Sequence, residues 1–239
     1  MVTGIKTSVM ILILGVGFNS NALDEVTFVC DQYPPIIVLD AQNKPSGPGV
    51  DVLNKITSYV GIQSHIVIEP WVRAAMTVKE SDHTCVVGLH KSKKVINDYW
   101  WIGPVTRQQW VIIQRASDQR QISKFSDMSL LKIGVERGSK IISILEDNHL
   151  KSVDAVNDGN NLKMLLMNRI DVWATTELIA KPRIDTLEKD KPKIAWRFGE
   201  DDGYLACNKK MEERILKKLQ QGVQYVRDQG DLIPFGLKK

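Results

Sequence analysis

Three short runs suited to β-strands, VTFVC (26–30), SHIVIE (64–69) and CVVGL (85–89), are separated by two segments whose apolar residues recur with helical spacing. In the first segment Val50, Leu53, Ile56 and Val60 fall on one face, and Gly61 follows where a helix would stop. The second, PWVRAAMTVKE (70–80), places Pro70 near the first position of a helix, where its missing N–H costs nothing. Strands joined by helical crossovers run parallel, so this alternation predicts a parallel sheet with helices packed on it.

A second cycle follows. QQWVIIQ (108–114) and LKIGV (131–135) read as strands, RGSKIISILEDN (137–148) as a helix, and KSVDAV (151–156) as a strand. DGNNLKMLLMNR (158–169) reads as a capped helix and DVWATT (171–176) as another strand. The chain ends with a strand, GYLAC (203–207), and a helix over about 211–226 whose single apolar stripe, Ile215, Leu219, Val223 and Val226, needs a partner surface. The fold class is α/β, with two such units in series and no low-complexity linker between them.

In open parallel sheets ligands bind beyond the carboxyl ends of the strands. The residues to inspect are therefore Asp31-Gln32-Tyr33, Pro70-Trp71, residues 89–94, Arg137-Gly138-Ser139 and Thr175-Thr176-Glu177. Trp71 and Arg73, two residues apart near the start of that helix, combine a stacking surface with a fixed positive charge. Trp110 and Trp173 are expected to pack in the core.

Composition limits the function. With 32 Lys and Arg against 28 Asp and Glu, the charge is only mildly positive, and no basic block exceeds two residues, so no nucleic-acid partner is expected. Lys6, an apolar run of ten residues (9–18) and Ser20-Asn21-Ala22 form a secretory signal peptide over residues 1–22. The run is too short for a membrane span, which needs about 20 residues, so a periplasmic location is expected. Cys30, Cys85 and Cys207 permit one disulfide without fixing which pair forms. The four histidines show no ligand spacing, and neither a metal nor a cofactor is expected.

Taken in order, GPGVDVLNKI (47–56), PWVRA (70–74), WIGP (101–104), KIGVERGS (132–139) and NLKMLLMNRID (161–171) resemble the family 3 extracellular solute-binding proteins, in a PWxRA/WxGP-like subgroup. The resemblance covers nearly everything after residue 25. It implies a two-lobed type II periplasmic binding protein fold with two crossover strands: lobe one at 23–108 plus 203–239, lobe two at 109–202. It also implies a non-enzymatic receptor, expected as a monomer. Such a receptor would capture an amino acid or related carboxylate between closing lobes and hand it to a membrane ABC permease. Alternatives are a sensory protein serving a membrane receptor, or a dehydratase-type enzyme on the same fold with Glu177 as base.

By resemblance Tyr33 and Trp71 are the aromatic pair around the ligand. Lys93-Lys94 stand where the family has a carboxylate-gripping arginine, and Thr176, beside Glu177, stands where it has an aspartate for the ammonium. Arg73, Ser139 and Lys94 are the expected carboxylate-binding set, with Asp31 and Glu177 as further ligand-binding candidates. The alternative for Arg73 is an ion pair within its own lobe, to Glu69 or Asp31.

Overall fold

A computed structural model describes residues 24–155 and 157–238, so the expected signal peptide lies outside the described residues. No helix among the described residues is long and apolar enough to cross a membrane.

The chain begins β1 (Glu25–Cys30), a small hairpin β2 (Val38–Leu39) and β3 (Pro45–Ser46), α1 (Pro48–Tyr59), β4 (Gln63–Ile68), α2 (Trp71–Glu80) and β5 (Thr84–His90). A long strand β6 (Trp100–Gln114) leads to β7 (Ile133–Glu136), α3 (Lys140–Asp147), β8 (Ser152–Ala155), α4 (Asp158–Leu166), β9 (Val172–Thr176) and α5 (Glu177–Asp185). The return strand β10 (Lys193–Cys207) and α6 (Glu213–Gln229) complete it. One eight-stranded sheet runs β4-β1-β5-β10-β6-β9-β7-β8. β1 is parallel to β4 and β5, and β7 is parallel to β8 and β9, as the alternation predicts.

The series of two units is thus joined edge to edge by β6 and β10, antiparallel strands of 15 residues each. On one side β10 pairs with β5, and on the other β6 pairs with β9. The pairing of β10 with β6 is irregular between Phe198 and Glu200 and again between Gly203 and Leu205. Bulges of this kind bend a ladder locally.

The sequence reading starts the first long strand at Gln108; the strand begins at Trp100 and carries Gly103-Pro104 inside it. Helix α5 escapes the reading because Pro182 lies within it and its apolar residues form no stripe. Pro70 precedes α2 rather than opening it.

Each half buries its own core on both faces of the sheet. In the first, Ile215, Leu219, Val223 and Val226 of α6 lie against Phe28 and Ile56 and are at most 1% exposed. Complete burial of each such side chain contributes about 1.5–3 kcal/mol. A β-carbon at Gly222 would sit 2.6 Å from the Ile56 carbonyl oxygen, so α1 and α6 reach this approach only with glycine there. In the second half, Ile112, Met128, Ile133 and Leu145 fill one face, and Ile113, Leu165 and Trp173 fill the other. Trp173 is fully buried as expected, while Trp110, 5% exposed, also borders a cavity.

Cys85 and Cys207 stand opposite each other in the β5–β10 ladder and form a disulfide, which leaves Cys30 as a buried free thiol. Burial, with Asp31 next to it, pushes the Cys30 thiol up to about 12, so it is not a reactive thiolate.

Candidate ligand-binding site

The carboxyl ends of β1, β7 and β9 converge with the first turns of α2, α3 and α4 on a cavity of about 140 Å³. Tyr33, Trp71 and His90 line it from the first half, Gln108 and Trp110 from the crossing strand, and Glu136, Ser139, Asp158 and Thr176 from the second. The local cause is the topology: parallel strands end together, and each is followed by a polar turn into a helix.

Trp71 is fixed at both ends. Because Pro70 has no side chain able to cap α2, the backbone N–H of Trp71 donates instead to Asp31 Oδ2 at 2.9 Å. Its indole Nε1–H donates across the cavity to the Gly138 carbonyl at 3.3 Å. Asp31 also accepts the Gln32 N–H at 2.6 Å, yet burial raises its pKa more than these bonds lower it. Tyr33 is partly buried, and its phenol is held well above the usual range by desolvation and then by Glu136 and Asp31.

Glu136, the last residue of β7, is only 6% exposed. Among the described residues no hydrogen bond or ion pair reaches its carboxyl group, and desolvation, then Asp158 and Asp31, push its pKa up to about 9. Asp158, 3% exposed, accepts the Trp173 indole N–H at 2.8 Å and the Thr175 hydroxyl at 3.3 Å. Burial nevertheless raises its pKa, with the Trp173 bond and then Arg183 opposing. His90 holds its Nδ1 3.1 Å from the Asp202 carbonyl, which accepts only, so the proton sits on Nδ1; burial lowers the ring's pKa. Lys140 is ion-paired with Asp201 on β10.

The structure brings together Tyr33, Trp71, Ser139 and Thr176, with Asp31 joined to them through the Trp71 N–H. It does not bring the expected carboxylate set together. Ser139 lines the cavity, but both its hydroxyl and its N–H donate to the Glu136 carbonyl, at 2.7 and 3.2 Å. Arg73 is exposed and borders a separate surface groove with Val72, Met76 and Arg137, because its position on α2 turns it away from Trp71. It pairs with neither Glu69 nor Asp31 among the described residues. Lys94 is exposed and pairs with Glu146 of α3 at 3.2 Å on the rim. Glu177 forms a two-bond pair with Arg197, at 2.9 and 2.8 Å, which holds its carboxyl below the usual range and is the opposite of what a general base needs.

Sequence reasoning missed Glu136 and Asp158. Glu136 ends an apolar strand, but Asp31 and Glu69 also stand at strand ends and nothing in the sequence separates it from them; Asp158 reads as an ordinary first-turn acid of α4. His90 falls within the strand-end stretch 89–94, whereas Gln108 and Lys140 carry no sequence signal of their own.

No protein-family model matches the sequence, and no curated protein matches it either. Solved structures match by shape. A histidine kinase sensor domain with similarity to periplasmic binding proteins superposes with a TM-score of 0.78 at 16% identity, over 90% of this chain and 95% of that one. A mutant of ArgBP from T. maritima gives 0.77 at 14%, over 87% and 92%. An amino acid ABC transporter substrate-binding protein from Streptococcus pneumoniae, bound to L-arginine, gives 0.77 at 17%, over 88% and 92%. At these identities the likeness speaks for the fold, and the fold of this chain is that of the periplasmic binding proteins.

Proposed function

We propose that this protein is a solute receptor that holds one small polar molecule, of amino-acid size, between two lobes, at 23–108 plus 203–239 and at 109–202. The observation that carries the reading is the cavity itself. Its lining comes from both halves, and two contacts, Trp71 Nε1–H to the Gly138 carbonyl and Lys94 to Glu146, join the two halves directly. The irregular pairing at 198–205 of β10 supplies the hinge. A ligand touching both walls favours the closed arrangement by the difference between its affinities for the closed and open forms.

The periplasm is the proposed compartment, in line with the signal-peptide pattern of residues 1–22 and with the Cys85–Cys207 disulfide, which an oxidising compartment maintains. Delivery to a membrane ABC permease is the proposed destination. The likeness to a sensor domain keeps a second destination in view, a membrane receptor that reads the closed form.

Thermal denaturation against amino acids, organic acids and amines tests the reading. Stabilisation by one chemical class, with the compound recovered unchanged, supports a receptor. Stabilisation by none refutes it, and chemical conversion of the bound compound points to an enzyme.

A further inference from the structure

The balance of charge and hydrogen-bonding groups in the cavity narrows the ligand further, and this step rests on the reading that the cavity binds a small molecule. Among the described residues its one cationic donor and several of its polar donors are spent. Ser139 gives both of its protons to the Glu136 carbonyl, Lys140 is paired with Asp201, and the two N–H groups of Trp71 serve Asp31 and Gly138. Acceptors remain: the Glu136 carboxyl is unpartnered among the described residues, and so is the Gln108 Oε1. The Thr106 and Thr176 hydroxyls, both on buried residues, also lack partners among the described residues and can serve in either sense.

An entering carboxylate would meet Glu136 and Asp158, with Asp31 behind the Trp71 N–H, and among the described residues no free ammonium or guanidinium stands on the wall. Arg183 is the cation whose field reaches all three acids, but it does not line the cavity and donates to the Ile179 carbonyl at 2.9 Å. The remaining walls are apolar, largely aliphatic with the aromatic rings of Tyr33, Trp71 and Trp110 among them, and ring faces attract cations.

We propose that the ligand is a small organic cation without a carboxylate, an amine or guanidine whose charged head is held by Glu136 against these rings, and that it enters in exchange for the Glu136 proton. In the empty protein that carboxyl keeps its proton, because burial and the fields of Asp158 and Asp31 outweigh Arg183. On binding, its O–H bond breaks, the proton passes to the buffer and the ligand's positive charge replaces it, so the charge of the cavity is unchanged. The other titratable groups facing the site are Tyr33, which stays neutral, His90, held on the Asp202 carbonyl, and Lys140, held on Asp201. Alkylamines and guanidines keep their charge through this pH range, so affinity rises roughly tenfold per pH unit below the Glu136 pKa.

Isothermal titration with two matched pairs, agmatine against arginine and cadaverine against lysine, tests the proposal, because each pair differs only by the α-carboxylate. The expected result is that a decarboxylated probe binds at least tenfold tighter than its parent. Its Kd should fall about tenfold from pH 6.5 to 7.5, and buffers of different ionisation heat should report close to one proton released. Glu136→Gln, checked by its own melting curve, should remove the proton release and weaken the probe at least tenfold. A parent amino acid that binds as tightly as its amine, an amine bound without proton release, or a carboxylic acid as the tightest compound in a wider library overturns the proposal and leaves the receptor reading standing. Failure of every compound to bind overturns both.

Discussion

Replacing Glu136 by glutamine should stabilise the empty protein, and the size of the effect follows from where the carboxyl sits. In the unfolded chain this group ionises near 4.5, whereas in the fold burial and its acidic neighbours move it to about 9. Between those values the unfolded chain holds fewer protons than the folded one, so stability falls as pH rises, by about 1.4 kcal/mol per unit. Below the lower value both states are protonated and the cost vanishes; above the upper value both are ionised and it levels off. At pH 7 the accumulated cost is about 3 kcal/mol, which Glu136→Gln removes while keeping the shape of the neutral acid. For a chain of this size that corresponds to a rise in Tm on the order of 10 °C. The assay is thermal unfolding of ligand-free, refolded wild type and variant from pH 5 to 8. The gap between them should widen with pH. A variant equal to or less stable than wild type at pH 7, or a gap that does not change with pH, would refute the reasoning.

Loss of the Cys85–Cys207 bridge, which spans 122 residues of sequence, should cost about 5 kcal/mol on a chain-entropy estimate. Melting with and without reductant measures it, and the unfolded, non-reduced protein should titrate one thiol, Cys30. Trp71→Phe keeps the ring but removes the indole donor to Gly138, a bond contributing about 1 kcal/mol. Binding should weaken about fivefold, with small-angle scattering showing a more open average form; unchanged affinity would dismiss that bond as a closing contact. Arg73→Ala should alter neither the melting temperature nor the Kd of the bound compound, since Arg73 is exposed and outside the cavity. A tenfold weaker Kd would return it to the site. Lys94→Ala should change affinity less than threefold, because an exposed pair contributes about 0–1 kcal/mol.

What the sequence makes legible is whatever depends on local periodicity. The strands β1, β4, β5, β7, β8 and β9 and the helices α1 to α4 and α6 stand within a few residues of where apolar spacing puts them. The rule that ligands sit beyond strand ends leads directly to Tyr33, Trp71, Ser139 and Thr176. Features set by long-range pairing are not legible. The first half of β10 lies beside β6 only because the chain returns across the whole sheet, and α5 forms around Pro182 with no amphipathic stripe. The same limit governs the site. Glu136 and Asp158 are unremarkable acids until the fold buries them within reach of each other's charge. Arg73 looks like a ligand group beside Trp71, but a step of two residues along α2 turns one into the cavity and the other to solvent.

The central claim is that the cavity between the halves holds one small molecule. Native mass spectrometry of the freshly purified, secreted protein against the same protein refolded from denaturant tests it most directly. The account predicts one small adduct per chain in the fresh sample, absent after refolding and restored by adding back the released compound, with a matching rise in Tm. A bare chain in both samples, with no compound in the library raising the Tm, would contradict it.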